Sequence, residues 1–123
     1  MRAQRLWLPG KMPGLDELIR TAKDSPADYV HLKQRWVNTV ARRASAAKLR
    51  PCRHVRLTFT WHGTGRRRDI DRRVAGGRKL VLDGLVAGGV LPVDGCKSVA
   101  GWTDEYRVSA KRGVLITLRA VAS

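Results

Sequence analysis

Asp69 and Asp71 are the side chains of this sequence best set for chemistry. They are two carboxylates two positions apart, with Arg66, Arg67 and Arg68 before them and Arg72 and Arg73 after. In extended backbone, residues two apart project to the same side, which would present both carboxylates together and turn Ile70 towards a core. Carboxylates held close repel one another. A cluster of arginines relieves that strain, and a Mg²⁺ ion between them relieves it best. Hard oxygen ligands for Mg²⁺, with a way to hold water in line with a phosphate, are what phosphodiester hydrolysis needs. Structural roles compete at the same positions. Asp71 falls where the N-cap of a following helix belongs, and Asp69 can pair with Arg67 or Arg68. Asp94 stands first of all as half of an Asp-Gly turn pair. Spacing alone leaves both accounts open.

Other chemistries have less to stand on. His31, His54 and His62 form no H-x-x-x-H or H-E-x-x-H pattern, and no serine or cysteine has a partner base at a recognisable spacing. A G-x-x-x-x-G-K-[ST] loop is missing, so use of a nucleotide cofactor is not indicated. Cys52 and Cys96 stand singly without a C-x-x-C pair, which favours two reduced packing residues over zinc or a disulfide.

The elements that must position the aspartates follow from periodicity and turn signals. A short strand is expected over residues 5–8, stopped by Pro9-Gly10, and Pro13-Gly14 leads into an amphipathic helix over residues 15–23. Ser25-Pro26-Ala27-Asp28 starts a second helix. Ser can cap it, Pro fits its first position, and Asp favours the positive end of its dipole. That helix runs to about residue 48 and buries Trp36, Val37, Val40, Ala41 and Ala44. Residues 54–61 alternate cleanly, with Val55, Leu57, Phe59 and Trp61 on one side and His54, Arg56, Thr58 and Thr60 on the other. An Arg-rich loop and the D-x-D follow, and then a third helix over about residues 72–87 carrying Val74, Val81, Leu82, Leu85 and Val86 inward. Gly76 and Gly77 inside it cost about 1 kcal/mol each relative to alanine. After Asp94-Gly95 come strands over residues 98–108 and 114–121, joined by Lys111-Arg112-Gly113. The order β-α-α-β-α-β-β predicts a single α+β domain over residues 1–123, with a small, mostly antiparallel sheet packed with helices.

Charge narrows the partner. Twenty-five Lys and Arg against ten Asp and Glu give +15 on 13.7 kDa, and a body that basic repels itself until it meets a polyanion. Arginine outnumbers lysine, and its planar fork grips phosphate oxygens through paired hydrogen bonds. A genome rich in G and C would also raise the arginine content. No apolar run approaches the roughly 20 residues of a membrane span. The apolar stretch near the N-terminus is too short for a signal peptide, so a cytoplasmic protein off the membrane is expected.

From Arg66 onward the order of residues carries more. The stretch RRRDIDRRVAGGRKLVLDGLVAGGVLPVDGCKSVAGWTDEY is similar to the core segment of the RusA family of Holliday-junction resolvases, above all its phage and prophage branch. The pattern is an Arg-rich run, D-x-D, a helix ending in a Leu-Asp-Gly-Leu turn, a Gly-rich bend and a third Asp before a strand. LPGKMPGLDELI near the N-terminus resembles the family's opening strand and Pro-Gly loop, so the likeness covers nearly the whole chain. It implies a RusA-like fold and catalytic carboxylates at Asp69, Asp71 and Asp94, which would ligate one or two Mg²⁺ ions, with Mn²⁺ as a substitute. The family's active-site lysine matches Lys79 across a one-turn insertion. Arg78 is a rival cation, and a plain Lys79–Asp83 helix salt bridge is the competing account of Lys79. DNA contacts would come from Arg66, Arg67, Arg68, Arg72, Arg73 and Arg78. Arg72 departs from the Asn that the family often places there. The resemblance further implies a homodimer, encoded by a bacterium or its phage, that nicks four-way junctions symmetrically and leaves 5′-phosphate and 3′-hydroxyl ends. Two other classes stand beside it: a non-catalytic basic DNA-binding module, and a less selective nuclease of flaps, loops or RNA.

Overall fold

Alternation of apolar and polar residues builds the centre of the molecule. Val55, Leu57, Phe59 and Trp61 are buried on one face of the strand β2 (Val55–Gly63), as the sequence predicts. The structure is a computed structural model that describes residues 3–10, 12–64, 67–92 and 95–121. Of Leu15, Ala75, Gly95, Cys96 and residues 67–73 it describes the backbone alone. The remaining elements are β1 (Gln4–Pro9), α1 (Leu15–Asp24), α2 (Pro26–Ala46), α3 (Arg67–Ala87), α4 (Gly95–Ser98), β3 (Val99–Val108) and β4 (Gly113–Ala120).

The strands form one mixed sheet in the order β1-β4-β2-β3. β4 pairs antiparallel with both β1 and β2, whereas β2 and β3 run parallel with α3 between them in sequence. The sheet is therefore antiparallel at two of its three pairings, and β3 and β4, consecutive in sequence, are separated by β2. A parallel pair needs a long crossover, and the α3 segment supplies it. The helices cover a single face: Leu6 and Leu8 of β1, Phe59 of β2 and Ile116 of β4 share one core with Val40 of α2 and Val81 of α3. The result is one small α+β domain.

Local signals account for the helix ends on that face. The Ser25 hydroxyl accepts a hydrogen bond from the Asp28 N–H at 3.3 Å, and Pro26 occupies the first turn of α2. Gly77 and Gly84 of α3 have a packing reason. A Cβ on Gly77 would stand 2.8 Å from the Trp61 ring, and one on Gly84 would stand 2.3 Å from the Val40 Cβ. Bare backbone at these points lets α3 lie close on β2 and α2, which offsets the helix propensity lost there.

One boundary departs from expectation. α3 begins at Arg67, not near residue 72, so Asp69-Ile70-Asp71 is helical backbone. The extended backbone that would put both carboxylates on one side is therefore not formed, and Asp71 cannot be the N-cap, because it is already inside the helix. Asp69 lies in the first described turn of α3, where the positive end of the helix dipole favours a carboxylate.

Candidate functional site

α3 carries most of the candidate residues. β2 ends at Gly63, and within a few residues the chain enters this helix at Arg67, carrying Asp69 and Asp71 in its opening turns. Arg66 and Asp94 lie outside the described residues, as do the side chains of Arg67, Arg68, Asp69, Asp71, Arg72 and Arg73. Among the described residues no group of three or more His, Cys, Asp or Glu could hold a metal ion. The three expected ligands are not in that set, and as carboxylates they fit the hard-oxygen preference of Mg²⁺.

The two candidate cations differ in their surroundings. Arg78 Nη1 donates to Asp104 Oδ2 at 2.7 Å, with the two side chains 24% and 17% exposed. Its guanidinium also stands 5.2 Å from the centre of the Trp102 ring. The other carboxylate oxygen of Asp104 accepts the Trp61 indole N–H at 3.1 Å. Arg78 is thus engaged by charge, hydrogen bond and ring together. Lys79, one residue on, is exposed, and neither an ion pair nor a hydrogen bond joins it to another described residue. The Lys79–Asp83 helix salt bridge, the competing account of Lys79, does not form. Asp83 instead faces Lys33 of α2 at 3.6 Å, across the α2–α3 contact.

The Arg78–Asp104–Trp61 network lies beyond the sequence reading, although a signal for it exists. Trp102, Asp104 and Tyr106 alternate along β3, and the register with Leu57, Phe59 and Trp61 puts them on the helix-covered side of the sheet. An acid at such a position calls for a cation from the facing helix. The network fastens the middle of α3 to the edge strand β3 and so holds the helix that bears Asp69 and Asp71.

The remaining candidates are scattered. Cys52 is a free thiol packed against the core, and its sulfur lies 3.4 Å from Gln4 Nε2. His62 meets Trp7 edge to face, with ring centres 5.3 Å apart. Trp36 packs partly buried against the core, whereas Trp102 is 55% and Val108 85% exposed on the edge strand. Among the described residues no helix is long and apolar enough to cross a membrane. A scan of protein-family models matches none to this chain, and a comparison with curated proteins finds none significantly similar.

Proposed function

We propose that this chain is a Mg²⁺-dependent endodeoxyribonuclease that nicks four-way DNA junctions in symmetric pairs as a homodimer, as the RusA family it resembles does. The observation that carries the reading is the ordered string over residues 66–106: an arginine run, D-x-D, a lysine further along the helix, Leu-Asp-Gly-Leu, a glycine bend and a third aspartate. Three features lend it support. The D-x-D opens a helix whose middle is anchored to the sheet. Lys79 is exposed on that helix and uncommitted among the described residues, while Arg78 is engaged by Asp104. Trp102 and Val108 leave apolar surface on an edge strand for a second copy to cover.

Asp69, Asp71 and Asp94 are the residues that would hold the metal. When bound, Mg²⁺ supplies Lewis-acid polarisation of the phosphate and a more acidic water. The chain itself does the positioning. The arginines at the start of α3 grip phosphate oxygens and set the register of the backbone without reading bases. Lys79 offsets negative charge that grows on the scissile phosphate, a role suited to a cation with no ion-pair partner among the described residues.

The test is substitution of each aspartate in turn. Asp71→Asn is expected to stop cutting of a labelled junction while junction binding survives or tightens, because a charge repelling DNA is removed. Cutting by this variant at the wild-type rate would remove Asp71 from the site. Cutting of flaps, linear duplex or RNA as fast as junctions would replace the resolvase reading with that of a less selective nuclease.

A further inference from the structure

The face of the sheet turned away from the helices is unused by the proposed chemistry. Residues alternating with the core make it up, and the strand register arranges them in rows. Arg5, Thr117, Thr58 and Thr103 lie side by side across the four strands. One row along, Arg119 stands directly opposite Arg56, and at the far end His62 neighbours Arg107. Between these rows Trp7, Leu115, Thr60 and Glu105 form another; Trp7 meets His62 edge to face, and Lys111 stands 5.2 Å from its ring centre.

Arg5, Arg56, Arg107, Arg119 and Lys111 thus gather on or beside one surface, and all five are exposed. The acid among them, Glu105, sits 3.5 Å from the Thr60 hydroxyl. No ion pair joins any of the five cations to a carboxylate among the described residues. Like charges directly opposite each other on neighbouring strands destabilise a sheet. A free protein gains nothing from Arg56 facing Arg119, whereas a polyanion laid across them turns the cost into binding. The threonine hydroxyls between the arginines are donors of the kind that reach phosphate oxygens without reading sequence.

We propose that this open sheet face is a second DNA-contacting surface, which takes the sugar-phosphate backbone of a duplex arm in addition to the arginines of α3. The inference rests on the reading of this chain as a DNA enzyme. It adds to that reading where an arm lies.

The experiment measures binding of the full chain to a labelled linear duplex by fluorescence anisotropy across a series of salt concentrations. Arg56→Ala/Arg119→Ala is compared with Arg20→Ala/Arg35→Ala, which removes the same charge from the exposed helix side. The sheet variant is expected to bind roughly tenfold more weakly and to lower the salt slope by about two, one for each phosphate that is no longer neutralised. Its thermal midpoint should be unchanged or raised, because the facing arginines no longer repel. Equal weakening by both variants would mean that only net charge matters, and would overturn the proposal. Unchanged duplex binding together with lost binding to phosphatidylglycerol vesicles would overturn it too and give the face to a membrane. If the wild type cuts junctions while the sheet variant binds duplex normally, this inference fails alone. If the wild type binds no DNA, the endonuclease reading falls with it.

Discussion

Removing the Asp104 carboxylate tests the anchoring of α3 most sharply. Asp104→Ala deletes the acceptor of a 2.7 Å charged hydrogen bond from Arg78 and of the 3.1 Å bond from the Trp61 indole. Breaking a fully buried ion pair from one side costs about 3–5 kcal/mol, and each hydrogen bond to a charged group contributes about 1.5–3 kcal/mol. Both side chains keep some exposure, 24% for Arg78 and 17% for Asp104, so water recovers part of the loss. A cost of about 2–4 kcal/mol is expected, which for a domain of this size lowers the thermal midpoint by roughly 8–15 °C. Replacing both partners with apolar groups, Arg78→Met with Asp104→Leu, should restore much of the stability, because no charge is then stranded. A double-mutant cycle over Arg78→Ala and Asp104→Ala, read by chemical denaturation, should give a coupling of about 1.5–3 kcal/mol. Additivity to within about 0.5 kcal/mol would refute the reasoning. Hydrogen exchange offers an independent readout: backbone amides over the first half of α3 should exchange faster in Asp104→Ala, with those of β4 little changed.

Other outcomes follow from the same packing. Gly84→Ala should destabilise by about 1–3 kcal/mol despite alanine's better helix propensity, because the added methyl meets Val40 at 2.3 Å; a rise in thermal midpoint would contradict the close approach. Ser25→Ala should cost about 1 kcal/mol through loss of the α2 cap, measured by urea unfolding. Lys79→Ala should leave stability within about 0.5 kcal/mol while slowing junction cutting at least tenfold; equal cutting would return Lys79 to the plain helix surface. The proposed pairing through β3 predicts a dimer in light scattering that Val108→Glu shifts to monomer; a monomeric wild type would contradict the pairing, and a variant that stays dimeric would place its surface elsewhere.

Much of the fold is legible in the residues themselves, and the failures have physical causes. β2 reads directly because one face is dry and the other is not, and α2 reads from Ser25-Pro26 because capping is local chemistry. The start of α3 does not read, because Ile70 is the lone apolar residue between Arg66 and Val74, and charge carries no period. The parallel pairing of β2 with β3 is hidden as well. It joins residues more than forty apart through a crossover, whereas antiparallel neighbours need only a turn. α4, four residues long, is too short for any periodicity to show. At the candidate site, Asp69 and Asp71 stand out by type and spacing, but the extended backbone expected for them is helix. Asp104 does not stand out, because one acid on a strand has meaning only once Arg78 is known to face it.

The measurement closest to the central claim is cleavage of a labelled synthetic four-way junction with and without Mg²⁺, beside a linear duplex of the same sequence. Paired, symmetric nicks on the junction alone, only with metal and with ligatable ends, are the predicted result. Tight binding without cutting, across Mg²⁺ and Mn²⁺ and several pH values, would contradict the account and leave a basic DNA-binding protein whose aspartates are structural.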